Sequence, residues 1–374
     1  MPEMEVIETV AAEIEGYDDA QADSGLGDYP LDQVFVRSEI RPVGDVVRRI
    51  RAGRYELNPD FQRDFVWPLD KQTRLIESCL MRIPLPVFYV AEAPDGRIIV
   101  VDGLQRLTTF RMFLDGGFKL TFPTSAETED KRSALSGKRF KELSLNLQER
   151  LEDTQLTLYI LDSKAPERAK LDIFERVNSG ETLTRQQMRN CLYNGEATLW
   201  LRDAAKNSEF LSATGGSLDS KKMRDREAIN RFCAFSLLGP SGYKGDMDGF
   251  LARCLDKMNG LSKEELSRLR RTFEQSMINN EVLFSHHAFR KSLAGADHQS
   301  RSVLNIALFD ICSVLLAHLP SRELEKYKAA IRNALRTLLS NEEFIKAITY
   351  STNSTRAITT RFRMMQEALA GILQ

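Results

Sequence analysis

Two periodicities alternate along the first half of the chain. Val43 to Ile50 reads as a short helix, and Arg51 to Leu57 as a turn into a short strand that Asn58-Pro59 punctuates. Asp70 to Met81 has helical periodicity, stopped by Pro84 and Pro86. Val87 to Ala91 predicts a strand, Asp95-Gly96 a hairpin turn, and Arg97 to Val101 the return strand. Leu104 to Leu114 then predicts a helix that Gly116-Gly117 ends. A polar excursion covers 121–138, and Leu156 to Leu161 reads as another strand. Beyond about residue 165 the pattern turns helical: Phe174, Val177, Met188, Leu192 and Leu199 mark the first helices, before a Gly/Ser/Lys loop at 211–222. Further helices are expected over 224–238, 247–259, 262–278, 301–318, 321–340 and 359–373. The fold class is α+β, with the expected division at 1–30 (a disordered acidic leader), 31–165 (an α+β module) and 166–374 (a helical domain).

Composition narrows this picture only a little. With 374 residues, 42% hydrophobic and 28% charged, the chain has the makeup of a globular protein with room for a sizeable core. The formal charge of -1 hides an asymmetry, because residues 1–30 hold nine acidic residues and no Lys or Arg, leaving the remainder net basic. A basic body suits a polyanion, and an acidic leader would compete for the same surface; a solvated tail is the simpler reading. Five single cysteines (Cys79, Cys191, Cys233, Cys254, Cys312) read as reduced, mostly buried thiols, without metal-binding or disulfide spacing. Neither a secretion signal nor an apolar run long enough to cross a bilayer is legible, so the expected compartment is the cytoplasm, without membrane contact.

The chemistry concentrates in Ile98 to Phe110, a buried strand that turns through Gly103 directly into a helix. A helix start offers unpaired N–H groups and positive dipole, Gly103 would let backbone approach a ligand, and Arg106 adds a cation one turn in. Asp102 stands where an N-cap belongs, so it either caps the helix or holds a metal ion and activates water beside a phosphate. Gln105 and Arg106 leave the helix in different directions, so one of them can be ordinary surface; Thr108 is filler or a hydroxyl donor to phosphate.

A second cluster, Asn58 to Pro68, joins Gln62 and Arg63 to Phe61, Phe65 and Trp67. Arg63 suits bidentate phosphate recognition and Trp67 could stack on a base, although alternating aromatics and a surface ion pair would look the same. For DNA the candidates are Lys221, Lys222 and Arg224, then Arg356, Arg361 and Arg363, where hydroxyls flank arginines. Solvated helix faces carry such clusters too, and no helix-turn-helix or zinc finger is recognisable.

Taken together, these segments resemble the family catalogued as domain of unknown function 262, whose hallmark is a DGQQR segment on a ParB/sulfiredoxin-like fold. Phe61-Gln62-Arg63 with Trp67, Ile76-Glu77-Ser78 with Ile83-Pro84-Leu85-Pro86, Asp102 to Thr109, Ser136 to Phe140 with Leu143, and Ile173 to Leu183 with Arg189-Asn190 and Tyr193-Asn194-Gly195 follow its pattern. Asp225 to Phe235 and Ala288 to Asp310 are similar to its helical tail, so the resemblance spans roughly 35–365. Leu104 replaces the hallmark's first glutamine, and Glu181 stands where a second glycine is common.

The resemblance implies a small mixed sheet of ParB type and a nucleotide-binding, often nucleotide-hydrolysing, module of bacterial restriction and anti-phage defence, of the GmrSD and SspE kind. It implies that Asp102 orients metal or water, Gln105 positions water or base, Arg106 and Arg63 clamp phosphates, and Asn178 helps close the site. Mg²⁺ with a nucleoside triphosphate would be the cofactor; DNA, a separate nuclease or defence-system subunit, and a homo-oligomeric copy would be partners. The HNH-type nuclease often paired with such modules is not recognisable among His286, His287, His298 and His318. Two alternatives stay open: a non-catalytic subunit that senses DNA or a partner, and a nuclease working through the ParB-like pocket.

Overall fold

Strands form where β-branched and aromatic residues alternate, and their register decides what meets on each face of the sheet. The computed structural model describes residues 14–16, 36–57, 67–93, 95–122, 135–165, 169–173, 184–295 and 301–373. Two units separate: Leu26–Leu183 with Met188–Leu192, and Met1–Gly25 with Thr184–Gln187 and Tyr193–Gln374.

The first unit carries a five-stranded mixed sheet, β1 (Val36–Pro42), β2 (Tyr55–Glu56), β3 (Phe88–Glu92), β4 (Ile98–Asp102) and β5 (Gln155–Leu161), in the order β1-β5-β3-β4-β2. β1 runs antiparallel to β5 and β3 antiparallel to β4, while β3–β5 and β2–β4 are parallel. Helices α1 (Val43–Arg51), α2 (Leu69–Leu80), α3 (Leu104–Leu114) and α4 (Leu145–Glu152) connect these strands. Their apolar stripes join Phe88, Val90, Ile98, Val100, Leu156, Leu158 and Ile160 in one buried core. On the other face, Ala91, Val101 and Leu161 pack with Ala165, Leu171 and Met188, and Ile99 packs with Cys191.

The hairpin joining β3 to β4 follows the sequence closely. Gly96 takes φ +79°, the Arg97 carbonyl accepts from Ala93 N–H at 2.8 Å, and the Asp95 carboxylate accepts from Arg97 N–H at 3.0 Å. β1 escaped the hydrophobic pattern. It is an edge strand of alternating charge, with Arg37 and Arg41 both paired to Glu39 and Ile40 left 65% exposed.

The second unit is helical, over Glu196–Ala204, Ser208–Thr214, Arg224–Leu238, Met247–Asn259, Lys263–Phe284, Ile306–Leu315, Ser321–Leu339, Glu342–Thr349 and Thr355–Ala370. A single large apolar cluster fills it. Five of these helices depart from expectation: Ser208–Thr214 runs into the loop expected at 211–222, Lys263–Phe284 runs past 278, Ile306–Leu315 is shorter than 301–318, Thr355–Ala370 starts before 359, and Glu342–Thr349, capped by Asn341, whose side chain accepts from Phe344 N–H, was not anticipated. The five cysteines are all buried and unbridged, as their spacing suggested. Within the acidic leader, residues 14–16 are described, and there Glu15 bridges Asn305 and pairs with Lys291. Those three residues are thus ordered by contact with the helical unit's own core.

Candidate functional site

The turn from β4 into α3 is shaped by a bulge and a glycine. Val90 pairs with Val100, but Tyr89 pairs with Asp102, so Val101 is one residue too many on β4. Regular alternation would have put Asp102 on the core face beside Ile98 and Val100. The bulge instead re-aims it to the register position opposite Tyr89. Gly103 follows with φ +96°, and a Cβ built there would lie 2.3 Å from Phe88 Cδ1. Glycine is therefore required by the Phe88 ring and the left-handed backbone; the expected reason, room for a ligand, is not what the geometry shows.

Asp102 does not cap the helix. Gly103 occupies the N-cap position, no side chain caps α3, and the first turn bond runs from Leu107 N–H to the Gly103 carbonyl at 2.9 Å. The Asp102 carboxylate, 35% exposed, instead accepts from Arg106 Nη2 through Oδ2 at 2.9 Å, and Oδ1 takes no hydrogen bond among the described residues. Arg106 is 11% exposed; it donates also to the carbonyls of Pro86 and, at 3.0 Å, Val87, and lies 4.1 Å above the Phe88 ring. Burial pulls its pKa below the usual arginine value, with the Asp102 carboxylate opposing that shift. Arg106 thus ties β3 to the turn and positions Asp102, and its Nη2 is committed to protein acceptors.

The neighbours divide between packing and solvent. Gln105 is half-buried, and its Oε1 is buried without a hydrogen-bond partner, an acceptor held out of water beside the turn. Thr108 is half-buried; Thr109 is fully buried and donates back to the Gln105 carbonyl at 2.8 Å. Leu104, in place of the hallmark glutamine, packs against the core, as does Trp67, whose carbonyl accepts from Gln72 Nε2 at 2.8 Å. Gln62, Arg63 and Asn178, with Phe61 and Phe65, lie outside the described residues.

One of the candidate DNA contacts is corrected outright. Arg361 is 0% exposed, its Nη2 donating to Asp310 Oδ2 at 2.7 Å and its Nη1 to the Thr352 carbonyl, so it builds the helical core. Arg231 holds the same carboxylate through Nε to Oδ1 at 2.8 Å and Nη2 to Oδ2 at 2.6 Å. Of the others, Arg363 pairs with Glu367 at 3.0 Å and Arg224 approaches Glu227 at 3.4 Å. Lys221, Lys222 and Arg356 are exposed. Arg356 lines a cleft of about 390 Å³ with Lys346, Tyr350 and Thr360, but the Ser354 hydroxyl beside it is spent capping the helix through Ala357 N–H.

Sequence reading passed over a larger cleft of about 550 Å³ in the helical unit, lined by Trp200, Arg202, Lys263, Arg270 and Arg271. There Arg270 stacks 4.1 Å from the Trp200 ring. Its residues come from helices 59 or more positions apart, so no local motif announces it. His287 is buried against Ser292 Oγ at 2.9 Å, in the short turn that follows the helix Lys263–Phe284.

With this geometry in place, the comparison with known families bears on residues 43–194. Residues 43–194 match the family model described as GmrSD restriction endonuclease, N-terminal domain. Over that stretch the chain is similar to this family. The match opens at α1 and runs through β2, β3, β4, the Asp102 turn and β5. The likeness to a restriction-related family covers that segment, and the tail resemblance beyond residue 194 falls outside the match. Among curated proteins, none matches the chain. No helix among the described residues is long and apolar enough to cross a membrane.

Proposed function

We propose that the β4–α3 turn is the nucleotide site of a restriction or anti-phage defence component, working in the cytoplasm on DNA with a separate nuclease or partner subunit. The observation that carries this reading is Asp102, re-aimed by the bulge, anchored through one oxygen to Arg106 and with the other taking no hydrogen bond among the described residues, beside a helix start without a side-chain cap. Phosphate oxygens would meet the first-turn N–H groups of α3, where the helix dipole favours negative charge. Mg²⁺ fits this chemistry as an ion brought in by the nucleotide, since such ions are held by one or two carboxylates together with substrate phosphates and water. Asp102 is the residue that would hold it, and the bound ion would supply charge neutralisation on the phosphates. Arg106 acts as a positioning residue for that carboxylate, a change from the phosphate clamp that the sequence suggested. Gln105 would orient water or the ligand from the next helical position.

Hydrolysis is tested by measuring turnover of nucleoside triphosphates by the purified chain with Mg²⁺. Asp102→Asn should lower turnover at least tenfold, with Arg106→Lys intermediate because a lysine cannot reach two carbonyls and the carboxylate together. Equal rates in wild type and Asp102→Asn would remove the hydrolytic role. Binding without turnover is the second reading, favoured by the commitment of Arg106 Nη2 to Val87 and Asp102. It predicts saturable nucleotide or salt-sensitive DNA binding by a chain that releases no phosphate.

A further inference from the structure

In the helical unit, Lys263, Ser267, Arg270 and Arg271 follow one another at intervals of four, three and one residues, which places them along a single stripe of the helix Lys263–Phe284. They line an open cleft of about 550 Å³ together with Arg202 of the helix Glu196–Ala204, so four cations meet two carboxylates there, Glu196 and Asp203. Asp203 lies 3.5 Å from Arg202 Nε, and Glu196 stands in the first turn of its own helix, where the dipole favours it. Lys263 and Arg271 are exposed and form no ion pair or hydrogen bond among the described residues. Lys263 opens its helix, the end at which a cation opposes the dipole, so helix stability does not account for it. Arg270 is half-buried. Its guanidinium lies 4.1 Å above the Trp200 ring and donates through Nη2 to the Trp200 carbonyl at 2.7 Å, while Trp200 Nε1 donates to the Leu266 carbonyl at 3.0 Å. Burial pulls the Arg270 pKa below the usual arginine value, and Glu274 and Asp203 oppose that shift without reaching ion-pair distance. A cation taken partly out of water, fixed in place and left without a carboxylate is arranged for an anion from outside.

We propose that this cleft is a contact site for the phosphate backbone of DNA, with Arg270 as the fixed anchor and Lys263 and Arg271 as its flanking cations. The inference rests on the DNA half of the reading above and assigns that contact to residues the sequence did not nominate. An open cleft does not enclose most of a small ligand, as a formed pocket does. A polymer needs no such enclosure: it gains from several exposed charge contacts at once and from the counterions that each one releases. The Trp200 ring, 7% exposed and covered on one side by Arg270, offers no face to a base, so the contact reads backbone rather than sequence.

Charged helix faces are ordinary on protein surfaces, and a matched control separates this cleft from bulk charge. Affinity for fluorescein-labelled DNA duplexes of two unrelated sequences is measured by fluorescence anisotropy across a range of KCl concentrations. The proteins are wild type, the double variant Lys263→Ala with Arg271→Ala, Arg270→Gln, and the control double variant Arg322→Ala with Lys326→Ala, which removes two exposed cations from the helix Ser321–Leu339. The cleft double variant should bind both duplexes about tenfold or more weakly at low salt, and its plot of log affinity against log salt should be shallower by about 1.8, or about 0.9 for each lost cation. Arg270→Gln should flatten the plot by about 0.9, and the control should keep the wild-type slope and, within about threefold, its affinity. Lys263 and Arg271 stand at exposed positions, so the double variant reads the site even where Arg270→Gln unfolds. An equal loss in the control, an unchanged slope in the cleft double variant, or a loss confined to one sequence overturns the backbone contact at this cleft. Wild type that binds neither duplex at low salt overturns the DNA half of the reading, and the cleft with it. Nucleotide turnover at the Asp102 turn is measured separately and stands or falls apart from either result.

Discussion

Each unit of this protein holds an arginine–aspartate cluster, and the two are used in opposite ways. In the helical unit Asp310 is wholly buried, and both of its oxygens are taken by Arg231 and Arg361, at 2.6–2.8 Å. In the sheet unit Asp102 meets Arg106 at a similar 2.9 Å, yet it is 35% exposed and binds through one oxygen. A buried charge must have every lone pair answered by protein, because no water compensates what is left over. A half-exposed one can leave an oxygen to solvent, and therefore to a ligand. The chemistry of the pair does not say which is a site; its exposure and its unspent valence do.

The largest effect should come from breaking the buried cluster. Asp310→Ala strands two arginines with burial already pulling Arg361 down to about 10, and should destabilise the helical unit by about 3–5 kcal/mol. Urea unfolding followed by far-UV circular dichroism checks this, with Asp102→Ala as the paired measurement. Asp102→Ala should cost about 1–2 kcal/mol, less than Asp310→Ala, because the 11% exposed Arg106 loses its carboxylate but keeps the carbonyls of Pro86 and Val87 as acceptors. Comparable losses in the two variants would erase the distinction between a structural and a presented carboxylate.

Gly103→Ala should follow in size. A residue with a Cβ pays roughly 1–3 kcal/mol for a left-handed backbone there, and the methyl would also overlap the Phe88 ring. The same substitution at Gly116, also at positive φ but with nothing within 4 Å of its Cβ, should be milder by the clash alone. Equal melting temperatures for the two variants would mean that the Phe88 contact, and with it the seating of the turn, is soft.

How far the sequence could be read follows the same division between local and distant causes. Helix α3 was legible from Leu104 to Leu114 because a β-branched strand, a glycine and a terminal Gly-Gly pair are all local signals. The existence of the Asp102 turn was legible for that reason. What it does was not: the bulge that re-aims Asp102 is a property of its pairing with Tyr89, which no window of sequence contains. β1 hid because an edge strand is built from paired charges rather than alternating apolar residues. Arg361 misled because its partner Asp310 stands 51 residues away, and a cation beside threonines looks the same whether it faces water or a buried carboxylate. The Tyr89–Tyr159 stack joins residues 70 positions apart, through the parallel pairing of β3 and β5.

The smallest predicted effect is the one that isolates exposure. Arg363 lies two residues from Arg361 on the same helix, carries the same side chain, and also pairs with carboxylates, Glu367 at 3.0 Å and Glu343 at 3.9 Å. Its side chain is 51% exposed, so water answers most of its charge whether or not those partners remain. Arg363→Ala should therefore change stability by less than about 1 kcal/mol, and what it does cost should shrink further in 0.5 M salt as screening weakens the pairs. Urea titrations at low and high salt measure both. A loss above that bound that persists in salt would place Arg363 in the load path of the helical core. The contrast drawn between Asp102 and Asp310 would then need a cause other than access to water.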